Sequence, residues 1–188
     1  MRAAVRAAMA EIQGVVEGSQ VPEDPIHARE TLRLLLIMRP QADLALQVAA
    51  LGHDLERALP PGLRVERSRF PDYASFKAAH ARNSAGHLTM LLRKHHLPEG
   101  FCQRVRRLVE RHEVGGDPDS DLLKEADSLS FFTTNLPHYL EREGEAEALR
   151  RCRWGWERLG PRGRAMLREL ARERSWLAPF LEACQGPI

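Results

Sequence analysis

Apolar positions along the chain recur at helical intervals, as in Val105, Leu108, Val109 and His112, and no alternating apolar and polar run persists long enough for a half-buried strand. β-Branched residues are sparse, and no Asn-Gly or Asp-Gly turn separates two apolar runs. The pattern therefore predicts helices throughout. Pro and Gly punctuate them into segments near 1–16, 24–38, 41–59, 72–95, 98–113, 119–135, 145–158 and 161–181. Asp24 is placed to cap a helix with Pro25 at its first position, Pro98 suits the same first-turn place in another, and Gly62, Gly115-Gly116 and Gly144 mark stops. One long irregular connection, 60–71, carries Arg64, Arg67 and Arg69 and is a candidate functional loop.

Composition narrows the class. A chain of 188 residues with 43% hydrophobic residues fits a single domain around one core. With 28 Lys+Arg against 26 Asp+Glu the net charge is only +2, so no nucleic-acid partner is expected. The apolar run Leu34–Met38 falls far short of the roughly 20 residues a bilayer span needs. Glu11 also interrupts the alanine-rich N-terminal stretch before it could act as a secretory segment, so no membrane partner is expected. Cys102, Cys152 and Cys184 are widely spaced and form no CxxC pair, which speaks against a disulfide framework or a thiolate zinc site and for a cytoplasmic location. From Arg142 onward ten arginines are interleaved with glutamates and with Trp154, Trp156, Met166, Trp176 and Phe180. Mixed charge of this kind reads as the solvated face of a helical cap rather than a phosphate-binding surface.

The chemistry concentrates around the segment Leu44–Leu55, which is apolar almost all round and so marks a central buried helix. His53 and Asp54 at its end are anomalous there. A buried ionised carboxylate has to be protonated, salt-bridged or bound to a metal, and this segment alone leaves a salt bridge and a metal equally open. His27 opens the preceding helix, His80 shares a helix side with Phe76 and Ser84, His112 ends an apolar series, and Asp127 lies one turn beyond Leu123. Each alone reads as a hydrogen-bonded core residue. Together they place imidazole and carboxylate groups on five predicted helices, which is how helical bundles assemble metal sites. A donor set without thiolate suits Mn, Fe, Co, Ni, Mg or Zn.

The order His27, His53-Asp54, His80, His112, Asp127 resembles the signature of the HD-domain superfamily of metal-dependent phosphohydrolases, over roughly residues 27–132. The resemblance implies an all-α helical bundle in a single domain, with a core over about 24–140 and extra C-terminal helices as a cap over about 145–184. It further implies that His27, His53, Asp54 and Asp127 bind one divalent metal ion, while His80 and His112 complete a second site with Asp54 bridging. The function it implies is hydrolysis, by metal-activated water, of a phosphate ester or anhydride of a small molecule, with a nucleotide as the favoured substrate class. Asp54 would then be catalytic, and among Arg57, Arg64, Arg67, Arg69, Lys77 and Arg82 the favoured phosphate clamps are Arg57 and Arg82. Arg57 stands near where many members of that superfamily carry a lysine.

Two other readings keep the same ligands: a di-iron oxygenase, and a catalytically silent module that binds a nucleotide or partner. His87, seven residues after His80, shares its helix face and is the rival ligand, but the resemblance favours His80, since Asn83-Ser84-Ala85 after it is similar to the small-residue stretch that follows the corresponding histidine in two-metal members of that superfamily. Glu56 and Glu113 neighbour ligands in sequence, yet adjacent helical positions point about 100° apart, so both read as exposed surface carboxylates. His95-His96 reads as a helix C-terminal cap and His138 as a loop residue.

Overall fold

A computed structural model describes residues 1–185, and among them there is no strand. Ten α-helices follow one another: α1 Arg2–Glu17, α2 Asp24–Met38, α3 Leu44–Gly52, α4 Tyr73–Lys94, α5 Glu99–Arg111, α6 Pro118–Ser130, α7 Leu136–Glu143, α8 Glu145–Glu157, α9 Pro161–Glu173 and α10 Ala178–Gln185. The fold is all-α, as expected. No helix among the described residues is long and apolar enough to cross a membrane.

The centre of the bundle is α3, whose Ala45, Leu46, Val48, Ala49, Ala50 and Leu51 are all buried. It is packed by α1, α2, α5 and α6. Its all-round apolarity is what allows four neighbours, since every face gains by leaving water, at about 1.5–3 kcal/mol for each large side chain fully buried. Buried apolar side chains form one continuous cluster from Val5 in α1 to Leu181 in α10. At Gly52 the end of α3 lies close to α4: a Cβ there would lie 3.0 Å from the Leu88 methyls. The missing side chain lets the end of α3, and the His53-Asp54 pair after it, sit against α4.

Several boundaries differ from the sequence reading, each for a local reason. The expected helix over 41–59 is shorter, because Asp43 caps α3 by accepting from the Leu46 N–H at 2.9 Å. At its other end the chain turns at His53-Asp54 into a 3₁₀ turn, Leu55–Ala58. Asp24 is the first residue of α2 rather than its cap, and its carboxylate is taken by Ser19 and Arg57. Pro98 precedes α5 as its N-cap residue. After α6 the helix does not stop at Asn135; a π-helical turn, Phe131–Asn135, leads straight into α7, so His138 is helical and not in a loop. The expected single helix over 161–181 breaks at Arg174, because the Pro179 ring would clash with the carbonyl of residue 175 in a continuous helix.

The C-terminal helices dock firmly on the rest. Gly155 of α8 lets the helix approach Phe132, where a Cβ would be only 3.1 Å from the ring. The Glu125 carboxylate of α6 accepts from the Gly160 and Gly163 N–H groups at 2.7 and 3.0 Å, and so serves the start of α9 from a different helix.

Candidate metal centre

Six residues named from the sequence meet in one place: His27 on α2, His53 and Asp54 just after α3, His80 on α4, His112 just after α5 and Asp127 on α6. Each imidazole is fixed through its outer nitrogen. His53 Nδ1 donates to the Ala50 carbonyl at 2.9 Å and His112 Nδ1 to the Val109 carbonyl at 2.7 Å. His27 Nδ1 donates to Ser130 Oγ at 2.9 Å, while that hydroxyl donates to the His27 carbonyl. His80 Nδ1 meets Glu56 Oε1 at 2.7 Å. With Nδ1 carrying the proton, the Nε2 lone pairs are left to face inward.

What they face is each other and two carboxylates. His27 Nε2 and His53 Nε2 are 3.2 Å apart, and Asp127 Oδ1 lies 3.2 and 3.5 Å from them. Asp54 Oδ1 is 2.7 Å from His80 Nε2, 3.7 Å from His112 Nε2 and 3.8 Å from His53 Nε2. Lone pairs and carboxylates gathered this closely need a cation among them, either a proton or a metal ion. The His112 Nε2 atom is buried and makes no well-aligned hydrogen bond, although Glu113 Oε1 lies 3.1 Å and Asp54 Oδ1 3.7 Å away; a nitrogen among carboxylates in this way fits a ligand atom. Three overlapping sets, His27/His53/Asp127, His53/Asp54/His112 and His80/His112/Glu113, each hold their donor atoms within 4.8 Å of one another.

The electrostatics match a site that draws positive charge. Burial opposes protonation of His53, but the Asp54 and Asp127 carboxylates outweigh it and raise its pKa to about 9. Burial would push Asp54 upward, yet His53, His80 and Lys77 hold it well below the usual carboxylate range. Asp127 is likewise held low against burial, chiefly by Arg158 and then by His27 and His53.

Around the ligands stands a buried ionic layer. Arg158, at the end of α8, donates to Asp127 Oδ2 at 2.6 Å, to Ser128 Oγ at 2.8 Å and to the His112 carbonyl at 3.2 Å, and it pairs with Glu113. Lys77 of α4 pairs with the same Glu113 carboxylate. Glu56, besides holding His80, accepts from Asn83 and from the Val65 N–H. Glu56 is buried and the Glu113 side chain is only 6% exposed, which corrects the expectation that they are surface carboxylates. Adjacent residues point about 100° apart only in a continuing helix, whereas α3 ends at Gly52 and α5 at Arg111, and the turns after them bring Glu56 and Glu113 inward.

A cavity of about 130 Å³ opens beside His27, Asp54 and Asp127, walled by Arg57 and Lys77 from the core and by Arg151 and Trp154 from α8. Arg57 is anchored to Asp24 at 2.8 Å, with its Nε 3.9 Å from Asp54 Oδ2. Arg82, the other favoured clamp, is corrected: it is exposed on α4 and lines neither this cavity nor its neighbour. His87 lies two helical turns beyond His80, about 10 Å along the axis, and takes no part in the ligand sets. His95 ends α4 and reaches Glu11 at 2.7 Å. Arg67 and Arg69 satisfy groups of their own loop.

Arg151 and Arg158 belong to the site and not to the solvated face expected for the C-terminal arginines, and Trp154, expected only as packing surface, lines the cavity with Arg151. Their spacing of three and four residues, which puts a tryptophan between two arginines on one face of α8, was the available signal.

Comparison with known proteins adds one relationship. No curated protein and no solved structure matches the chain. A family model described as domain of unknown function (DUF4202) matches residues 5–177, which takes in the histidine-bearing helices and the arginine-rich α8 and α9 alike. Since that match covers nearly the whole chain, the protein belongs to the family described as domain of unknown function (DUF4202).

Proposed function

We propose that the protein is a metal-dependent phosphohydrolase of the HD type, cleaving a phosphate ester or anhydride of a small molecule, with a nucleotide as the favoured class. The observation that carries this reading is the meeting of four imidazole Nε2 atoms with the Asp54 and Asp127 carboxylates beside a cavity walled by Arg57, Lys77 and Arg151. The donor set of nitrogen and oxygen without sulfur fits a hard or borderline divalent ion.

In this reading His27, His53, Asp54 and Asp127 hold one ion, and His80 and His112 with Asp54 hold a second. The chemistry such ions supply is an acidified water and charge neutralisation at a phosphoryl oxygen. The protein's own residues do the rest. Ser130, Ala50, Val109 and Glu56 keep the imidazoles in one tautomer and orientation, and Arg158 fixes Asp127. Arg57, held by Asp24 beside Asp54, lines the cavity and would meet a phosphoryl group bound there. Phe131 and Trp154 add an apolar wall to the cavity.

The test is metal content by inductively coupled plasma mass spectrometry on untagged protein purified without chelator, followed by a phosphate-release screen. Nucleoside monophosphates, dinucleoside polyphosphates and cyclic nucleotides are the substrates to try. We expect one to two equivalents of a divalent metal per chain and release that is lost in Asp54→Asn. No metal after supplementation with several divalent ions overturns the reading, and two equivalents of iron without phosphate release turns it toward an oxygenase.

A further inference from the structure

Four cations border the cavity beside the ligand cluster, and three of them are already neutralised. Arg57 pairs with Asp24, Lys77 with Glu113, and Arg142 with Glu23. Arg151 is the exception. Among the described residues its guanidinium makes no ion pair and no hydrogen bond; aromatic rings hold it instead, at 4.1 Å from the Trp154 ring centre, 5.6 Å from Tyr73 and 5.7 Å from Phe131. Cation–π contacts of this kind hold a guanidinium in place without using its N–H groups as hydrogen-bond donors.

The position of those N–H groups matters as much as their freedom. A second cavity of about 200 Å³ adjoins the first, next to His80, Tyr73 and Phe76, and the residues lining both cavities are Arg57, Lys77 and Arg151. The half-buried Arg151 is near enough to Lys77 for its charge to work against the lysine's protonation. Like charges thus stand together at a junction where, among the described residues, no carboxylate pairs with Arg151. A planar guanidinium with free donors matches two oxygens of a phosphate.

We propose that Arg151 is the substrate's anion anchor, its free N–H edge binding a phosphate group at the junction of the two cavities opposite Arg57 and Lys77. This divides the substrate in two: a phosphoryl group beside the ligand cluster, and an organic group in the second cavity against Tyr73 and Phe76. The phosphorylated character of the ligand rests on the phosphohydrolase reading; the role of Arg151 in holding an anion does not. Arg151 touches no ligand residue, so it acts as a binding residue and not through the metal site.

The experiment is isothermal titration of inorganic pyrophosphate into the full chain as isolated, beside Arg151→Ala, Arg151→Gln, Arg151→Lys and Arg150→Ala. Arg150 is on the same helix but pairs with Glu147 in solvent, so its variant controls for net charge. Loss of a charge-assisted pair of hydrogen bonds should weaken pyrophosphate by about tenfold or more in the Ala and Gln variants. Partial recovery in Lys, wild-type affinity in Arg150→Ala and unchanged metal content are expected alongside. Gln keeps the side-chain length and so gives a reading even if Ala perturbs the aromatic cluster. Equal affinity in wild type and Arg151→Gln overturns the proposal, as does an equal loss in Arg150→Ala or a wild type that does not bind pyrophosphate. Weakened binding in a protein that hydrolyses no phosphate ester retains the anchor and rejects the phosphohydrolase.

Discussion

Arg158 at the end of α8 and Asp127 of α6 form a largely buried ion pair at 2.6 Å, which ties a helix carrying no candidate histidine ligand to a carboxylate of the candidate metal centre. The arginine side chain is only 7% exposed. The pair therefore lies in a region of weak screening, and the same guanidinium also answers Glu113.

Arg158→Met leaves Asp127 and Glu113 without their shared cation. Breaking a buried pair by removing one partner costs about 3–5 kcal/mol, and loss of a group that orients a ligand typically weakens metal binding by about 10–100-fold. Urea denaturation and metal titration of the variant measure the two effects separately. A stability change below about 1 kcal/mol, the range of exposed pairs, would show that solvent already screens this contact.

His80→Ala and His87→Ala separate two histidines of one helix. His80 touches Asp54 and Glu56 at 2.7 Å each, whereas His87 sits outside every ligand set. Metal analysis should show fewer equivalents per chain in His80→Ala and the wild-type value in His87→Ala, with both variants folded by circular dichroism. The reverse result would reassign the ligand.

Gly52→Ala tests the close approach that seats the His-Asp pair. Its Cβ meets the Leu88 methyls at 3.0 Å and Ile12 at 3.5 Å, so the added methyl forces a rearrangement costing about 1–3 kcal/mol. Thermal melting should fall, and metal affinity with it, since His53 follows directly. A variant as stable as the wild type would mean that Leu88 simply changes rotamer.

Metal uptake should release protons at neutral pH. Without an ion His53 keeps its proton up to about pH 9, because Asp54 and Asp127 outweigh burial, and a metal ion must displace it. The sign follows: apparent affinity rises with pH from neutrality toward about 9 and flattens above it. Calorimetric titrations in buffers of different ionisation enthalpy count the protons; a count near zero at pH 7 contradicts a protonated His53.

The candidate ligand residues were legible as a set, because polar groups that end or share a side with apolar residues recur in one order along the chain, and burying such groups requires a reason. His53 and Asp54 after Leu44–Gly52 are the clearest case. Glu56 and Glu113 were not legible, since their burial depends on where α3 and α5 end, and one residue of further helix would have turned both outward. Arg151 and Arg158 were hidden for another reason: they lie among eight other arginines of the C-terminal stretch, and only the docking of α8 on Phe132 singles them out. Similarly, Arg57 and Arg82 looked equivalent as clamps until the turn after α3 placed one beside Asp24 and helix phase left the other in solvent.

Gly144, with φ 84° and open space where a side chain would be, is the joint between α7 and α8. Everything that α8 contributes, from Arg151 through Trp154 to Arg158, lies beyond that joint on one rotational phase of the helix. A single residue inserted within α8 ahead of Arg151 would turn the whole set by about 100° and withdraw all three together. The same insertion at the joint can be taken up by loop, leaving the phase intact. Length variation among members of this family should therefore gather at the α7–α8 joint and spare the interior of α8, so that two helices remain geared to each other while the tooth count between them is free to drift.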